Sequence, residues 1–431
     1  MRIIVDPSTL DCLNFGDVAM LQAAIGQLRR QWPDAAIQVF TNDPEAIARH
    51  CPSVLPLAHC GRINWLSDRD FLGRVHPYLP EIASRVLIRF KRDMRRRRPG
   101  LLATAMFAKM RLLRTDDKPL HAFMAALYQT DLYVVSGAAT MNDKAKTFAR
   151  LVLATIEIAL DRGIPVALFS QGIGPINDPE LLAQARRLLS RVTLIAVREN
   201  LYGPALLKLL GVSPQRVLVT GDDAIQMAYE ERTNGDGKGI GVNLRVSRSS
   251  EVDPSVIEVV RRVLHKAANE YDAPLIPLPI ALHAAADDPK IIRQLIGVDE
   301  QSDDAYSCDR PSHVIAACGQ CRIVVAGAYH AAVFALAQGI PAVCLAGNAN
   351  YVEKFMGLAD QFGTGCEVIS VTGSHFGERL REAIDQAWTR AAAQRVPLLA
   401  AAARQIELSN AAYGQLAHLT TDSPSPLGAA A

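Results

Sequence analysis

The stretch that decides the fold is Cys321-Arg-Ile-Val-Val-Ala-Gly-Ala-Tyr-His330-Ala-Ala-Val-Phe-Ala-Leu-Ala-Gln-Gly-Ile-Pro-Ala-Val-Cys-Leu345. It predicts a buried strand, a turn of small residues, a helix whose first turn holds His330, and a second strand that starts at Pro341. Strands that alternate with helices are typical of a parallel sheet. The stretch therefore predicts an α/β fold with His330 at the carboxyl end of a strand.

The same alternation extends over most of the 431 residues, a length that favours more than one domain. The segment 230–238 is polar, contains glycine and has no apolar period, so we take it as the linker. We predict one Rossmann-like domain over residues 1–232, a second over 239–417, and a flexible tail over 418–431. Ligands of such folds bind in a cleft at the carboxyl ends of the strands.

Local patterns place several helices. Residues Asp17 to Gln31 have apolar side chains at helical spacing and should bury one face. The sequence Asp178-Pro179 is a helix cap followed by a proline in the first turn. Alanine-rich helices are expected between about Phe376 and Leu416.

Composition excludes several classes of protein. Hydrophobic residues make up 49% and charged residues 21%, as in globular chains, and the net charge of +2 gives no argument for nucleic-acid binding by the whole molecule. No apolar run is long enough to span a membrane, and the N-terminal run is too short for a signal peptide. The eight scattered cysteines are expected to be reduced thiols without a metal, in a cytoplasmic protein.

A basic segment near residues 85–114 departs from the pattern. It holds eleven Lys or Arg residues and one acid, Asp93, interleaved with apolar side chains. Such a segment can lie on an anionic membrane surface, which would place the protein on the inner face of the membrane. The alternative is a solvated helix and loop. Nucleic-acid binding is not favoured.

Three polar or glycine-containing loops follow predicted strands of the first domain and together suggest a ligand-binding rim. They are Asn14-Phe-Gly-Asp17, Ser136-Gly137, and Gln171-Gly172-Ile-Gly174. Glycine allows the backbone to approach a ligand, and a helix N-terminus attracts anions. The alternative for the first loop is that Asn14 and Asp17 only shape the turn and cap the helix.

Charged side chains stand at other strand ends. Arg198 directly follows an apolar strand and could grip a carboxylate or phosphate, although a salt bridge with Glu199 or another acid is the alternative. Arg245 and Lys354 follow strands of the second domain. His330 could move a proton near neutral pH, although a lone helical histidine is often structural.

In the order and spacing of these strand-end loops and charged residues, the chain resembles the polysaccharide pyruvyl transferase family. The two-domain fold of that family is similar to that of GT-B glycosyltransferases. The resemblance implies transfer of a pyruvyl group from phosphoenolpyruvate to a sugar or lipid-linked oligosaccharide as a ketal, in exopolysaccharide or cell-envelope glycan synthesis. It implies an acceptor side in the first domain, a donor side in the second, and no metal or cofactor besides the co-substrate. The implied residues are His330 and Asp17 for catalysis; Arg198, Lys354, Arg245, Gly172 and Gly174 for the donor; and Asn14, Asp17, Ser136 and Gly137 for the acceptor.

One position departs from the family pattern, which commonly has an arginine two residues before the histidine, where this chain has Ala328. Arg245, Arg248 or Arg322 could supply the missing charge, or Tyr329 could mark a subfamily with a different site. Two other functions stay open. One is a glycosyltransferase that uses a nucleotide sugar, and the other is a noncatalytic membrane-surface protein of polysaccharide assembly.

Overall fold

The computed structural model describes residues 1–67, 80–235, 237–247, 250–297 and 308–421. Two parallel sheets, each covered by helices, confirm the α/β class and the two Rossmann-like halves around a cleft. None of the helices in these residues is long and apolar enough to cross a membrane.

The first sheet has seven parallel strands in the order β3-β2-β1-β4-β5-β6-β7. They are β1 (Arg2–Pro7), β2 (Ala36–Thr41), β3 (Leu55–Ala58), β4 (Leu132–Met141), β5 (Val166–Ile173), β6 (Leu194–Val197) and β7 (Val217–Val219). The strand order reverses between β1 and β4, and ligands of doubly wound folds bind at this point. Most of the central strands are near-continuous apolar runs because helices cover both faces.

The helices of this half are α1 (Phe15–Gln31), α2 (Pro44–His50), α3 (His59–Leu66), α4 (Glu81–Arg97), α5 (Pro99–Leu112), α6 (Lys118–Gln129), α7 (Lys146–Asp161), α8 (Pro179–Leu189), α9 (Gly203–Leu209) and α10 (Ala224–Glu230). The predicted apolar face of α1 is buried, and the Asp178 carboxylate accepts the Leu181 N–H at 2.8 Å to cap α8. The segment after α10 leads into the second sheet.

The second sheet has five parallel strands in the order β14-β13-β12-β8-β9. The elements of this half are β8 (Gly239–Asn243), α11 (Ser255–Tyr271), β9 (Leu275–Pro277), β10 (Leu282–His283), β11 (Ala286–Asp287), α12 (Asp288–Ile296), α13 (Pro311–Cys318), β12 (Cys321–Ala326), α14 (Tyr329–Ala337), β13 (Ala342–Ala346), α15 (Ala349–Phe362), β14 (Cys366–Ser370) and α16 (Phe376–Thr421). Its strand order reverses between β8 and β12, so the cleft lies between two reversal points.

The last helix changes the predicted domain boundary. α16 is one continuous helix of 46 residues, and its final turns return to the first sheet. There the ring of Tyr413 stacks on Phe169 of β5 with ring centroids 3.7 Å apart. The span 239–417 predicted for the second domain therefore includes residues of the first domain's core, because α16 buries apolar side chains against both halves. The predicted tail begins inside α16, and residues 422–431 lie outside the described residues.

The two halves also meet at the start of α1. The Phe15 N–H donates to the Ile280 carbonyl at 2.8 Å, and the Leu282 N–H donates to the Leu13 carbonyl at 2.8 Å. Phe15 and Met20 pack in the core of the second half. These contacts place the first turn of α1 against the segment that follows β9.

Candidate active site

Five titratable side chains meet in the cleft between the carboxyl ends of the two sheets. They are Asp17, Arg198, Asp222, His330 and Lys354. The central contact joins His330 Nε2 to Asp222 Oδ2 at 3.6 Å, and Arg198 Nη1 lies 3.5 Å from the same carboxylate oxygen. All three side chains are buried. At 3.6 Å the contact is longer than a hydrogen bond, and neither His330 Nε2 nor Asp222 Oδ2 has a hydrogen-bond partner among the described residues.

The turn between β12 and α14 holds His330 in this place. The Ala328 N–H donates to the Asn243 side-chain oxygen at 2.7 Å, and α14 begins at the next residue. On the other side, the imidazole lies against Gly16 of α1, where a Cβ atom would stand 2.0 Å from His330 Cγ. A side chain at position 16 would therefore occupy the space of the ring. The sequence prediction missed this role of Gly16. It expected the glycine to let the backbone approach a ligand, whereas the glycine makes room for the His330 ring.

Asp17 and Asn14 differ in what they do at the start of α1. Asp17 directly follows Gly16, which lies against the His330 ring. Burial raises the pKa of Asp17, while the charges of His330 and Arg198 partly oppose this shift. Asn14 caps the helix: its side-chain oxygen accepts the Gly16 N–H at 3.1 Å and the Asp17 N–H at 3.3 Å. This confirms the capping alternative for Asn14, and its contact with an acceptor stays a prediction.

Arg198 is held between the two halves of the molecule. Its guanidinium carbon lies 4.1 Å from the centre of the Tyr329 ring, and a Cβ on Gly172 would stand 2.9 Å from its Nε atom. The absence of a side chain at Gly172 thus leaves room for the guanidinium. Glu199 does not pair with Arg198 but caps α9, where it accepts three backbone N–H groups.

Lys354 lies in the second turn of α15, within reach of the same charges. Burial lowers its pKa to about 7, and the positive charge of Arg198 adds to this effect, while Asp17 opposes it. Arg245 forms a buried two-pronged ion pair with Asp288, at 2.8 and 3.0 Å. Its charge is therefore matched inside the protein, and a role for Arg245 in holding the donor stays a prediction.

The remaining predicted residues are Ser136, Gly137 and Gly174. Ser136-Gly137 was predicted to follow a strand but lies within β4, because this strand continues to Met141. Ser136 is buried, and its hydroxyl has no hydrogen-bond partner among the residues described. Gly137 has a φ of +33°, and a Cβ there would meet Met20 Sδ at 2.5 Å. Gly174 donates its N–H to the Met141 carbonyl at 3.0 Å. Gly137 thus shapes the backbone within β4 and Gly174 shapes the loop after β5, and ligand contacts by Ser136, Gly137 and Gly174 stay predictions.

Asp222 is the second residue that the sequence prediction left out of the site. Burial would raise its pKa, but the contact with His330 and the charge of Arg198 hold the pKa below its usual value. Its signal in the sequence is the acidic pair Asp222-Asp223, which stands shortly after β7. The neighbouring Asp223 turns away and accepts hydrogen bonds from Ser409 and Tyr413 of α16, at 2.9 and 3.0 Å.

The family model for polysaccharide pyruvyl transferase matches residues 14–348, which include every element of the cleft described above except Lys354. The chain belongs to this family. Membership supports a transferase that acts on a sugar or glycan acceptor. A comparison with curated protein sequences found no significant match.

Solved structures support the GT-B-like fold of this family member. MnaA of S. aureus with UDP aligns with a TM-score of 0.56 at 11% identity, covering 98% of this chain and 99% of that one. The Anabaena protein HepE in complex with UDP aligns with a TM-score of 0.53 at 13% identity, covering 98% and 100%. The UDP-GlcNAc 2-epimerase of Neisseria meningitidis bound to UDP-GlcNAc gives 0.52 at 13% identity, again covering 98% and 100%. At these identities the likeness concerns the fold.

Proposed function

We propose that the cleft binds phosphoenolpyruvate and transfers its pyruvyl group to two hydroxyls of a sugar as a cyclic ketal. The observation that carries the proposal is the buried cluster in which His330 contacts Asp222 beside Arg198. Family membership supports the same reaction. A histidine able to deliver a proton and cations able to hold an anion are the two groups that this reaction requires.

The cations suit a donor with a phosphate and a carboxylate. In the proposed complex, Arg198 grips one anionic group in a two-pronged contact, and Lys354 supplies the second positive charge. The helices α1, α14 and α15 all begin at the cleft, so their N-termini lie there. Helix N-termini favour bound anions. Ala328 stands where the family commonly has an arginine, so another residue must supply that positive charge. Arg245 is already paired with Asp288, and we assign the charge to Lys354.

The reaction then follows from proton transfer. His330 donates a proton to the methylene carbon of phosphoenolpyruvate, and a sugar hydroxyl attacks the adjacent carbon while its own proton passes to Asp17. Asp17 passes this proton to the phosphate oxygen as the bond between that oxygen and the carbon breaks, and hydrogen phosphate leaves. A second hydroxyl closes the ketal and returns its proton to His330. Asp222 orients the imidazole and stabilises its positive charge by proximity.

The setting of this reaction belongs to the same proposal. The acceptor is a sugar or a lipid-linked oligosaccharide that binds on the side of the first domain, and the donor binds on the side of the second. The product would enter exopolysaccharide or cell-envelope glycan synthesis, with the protein at the cytoplasmic face of the membrane. Proton transfer and fixed cations suffice for the steps above, so phosphoenolpyruvate is the co-substrate and no further cofactor is invoked.

The competing function is transfer of a sugar from a nucleotide sugar. It is motivated by structures of similar fold that hold UDP or UDP-GlcNAc. The two functions differ in the small product, which is inorganic phosphate for pyruvyl transfer and a nucleotide for glycosyl transfer.

Incubation of the full chain with labelled phosphoenolpyruvate and candidate free or lipid-linked glycans tests the proposal. Pyruvylated glycan and inorganic phosphate should appear together. The variant His330→Ala should lose about two to four orders of magnitude in turnover, the usual contribution of a general acid. The control is His265→Ala, since His265 is a partly buried histidine that contacts the Leu295 carbonyl outside the cleft. Unchanged turnover in His330→Ala would reject the assigned role.

A further inference from the structure

The helices α4 and α5 form a basic hairpin, and contacts with the described part of the first half anchor one side of it. Lys91 of α4 is buried and donates a hydrogen bond to the Ser67 carbonyl. From α5, Leu102 and Met106 pack in the core of the first half. The buried Lys91 departs from the alternative of a solvated helix and loop for segment 85–114. These anchors fix which side of each helix faces outward.

The outward side of α4 carries a row of apolar residues that we call the apolar stripe: Ile82, Val86 and Phe90. Their exposed fractions are 78%, 61% and 56%. They are spaced four residues apart, so they lie on one face of the helix, opposite Lys91. On α5, Leu101 and Leu112 are also exposed on one helix face. Large exposed apolar side chains gathered on one helix face are typical of an interaction site.

Arginines border the apolar stripe. Arg89, Arg96 and Arg97 are exposed on α4, and Asp93, which pairs with Arg97 at 2.8 Å, is the sole acid in the sequence from 85 to 114. A row of large apolar side chains bordered by positive charge complements a surface whose interior is hydrocarbon and whose exterior is anionic. A nucleic acid would satisfy the arginines but would leave the apolar stripe in water.

A nearby groove of about 1810 Å³ between α4 and α7 is a weaker candidate. Its arginines on α7 and α8 are matched by acids: Arg187 pairs with Glu157, and Arg150 pairs with Glu180. The groove therefore offers less uncompensated positive charge than the outward face of the hairpin.

We propose that the outward face of the α4–α5 hairpin docks on an anionic lipid bilayer, with the apolar stripe inserted among the acyl chains and the arginines at the headgroups. The inference rests on exposure and charge and does not depend on the reaction in the cleft. Docking would hold the protein at the surface where a lipid-linked acceptor is found.

Co-sedimentation of the full chain with phosphatidylcholine vesicles, with and without phosphatidylglycerol, tests the proposal. The protein should bind the anionic vesicles, and added salt should release it. The triple variant Ile82→Ser, Val86→Ser, Phe90→Ser should bind at least about tenfold more weakly. Its matched control is Leu209→Ser with Val396→Ser, because both residues are apolar and 73% exposed outside the hairpin.

A second pair of variants separates charge from apolar contact. Arg96→Gln should weaken binding about fivefold, while Arg262→Gln should not change it. Both side chains are 69% exposed, and each lies 3.6 to 3.9 Å from one carboxylate. Circular dichroism should show the same helix content in all variants. Equal binding of the triple variant and the parent, equal binding to neutral and anionic vesicles, or binding to soluble heparin without binding to vesicles would overturn the proposal.

Discussion

Replacement of Gly16 by alanine tests whether the position of His330 matters for the reaction. The new Cβ would stand 2.0 Å from His330 Cγ and 2.1 Å from Nδ1. Non-bonded carbon atoms prefer separations of about 3.5 to 4.0 Å, so the ring and the helix must move apart by roughly 1.5 Å. Because a misplacement of about 1 Å can cost about a hundredfold in rate, we expect turnover to fall by about two orders of magnitude.

The same helix offers the control. A Cβ on Gly26 would have no neighbour within 4 Å, so Gly26→Ala should keep full activity and gain about 0.5 to 1 kcal/mol of stability from helix propensity. The assay measures phosphate release from phosphoenolpyruvate with a glycan acceptor, together with donor binding and thermal unfolding. Donor binding should survive in Gly16→Ala, because the three atoms nearest the added methyl all belong to His330. A Gly16→Ala protein with the turnover of Gly26→Ala would refute the reasoning.

Two further predictions concern pH. The Lys354 pKa is about 7 in the free protein, and a bound anion favours its charged form, so donor affinity should fall as pH rises above about 7. Calorimetric titrations at several pH values should show this fall for the parent and none for Lys354→Met; the same slope in both would contradict it. Burial raises the pKa of Asp223 from 3.8 to about 7, so the folded state keeps a proton that the unfolded state loses in this window. The free energy of unfolding should therefore fall as pH rises from about 4 to 7, and urea unfolding of Asp223→Asn should lack this contribution; identical pH profiles would be evidence against it.

Much of the fold could be predicted because its signals are local. The apolar runs of β12 and β13, the small turn between them and the proline at position 341 define a strand, a helix and a strand without knowledge of any distant residue. The cap at Asp178 and the apolar face of α1 are equally local. These elements also place His330, Arg198 and Lys354 after strands, so the parallel topology brings each of them to the carboxyl edge of its own sheet.

The features that could not be predicted depend on contacts between segments that are distant in the sequence. Nothing near Asp222 in the sequence distinguishes it from Asp223, yet one carboxylate meets His330 and the other holds α16. Arg245 was expected to serve the donor, but Asp288, which lies 43 residues away, occupies its guanidinium. The alanine-rich sequence of α16 predicts a helix. It does not indicate that the last turns of this helix pack on the first sheet.

The central claim is that the cluster around His330 receives phosphoenolpyruvate, and calorimetric titration of the full chain with phosphoenolpyruvate and, separately, with UDP tests it most directly. We predict that phosphoenolpyruvate binds, that UDP does not compete with it, and that Arg198→Ala abolishes most of the affinity. Tight binding of UDP without binding of phosphoenolpyruvate, or full donor affinity in Arg198→Ala, would contradict the account.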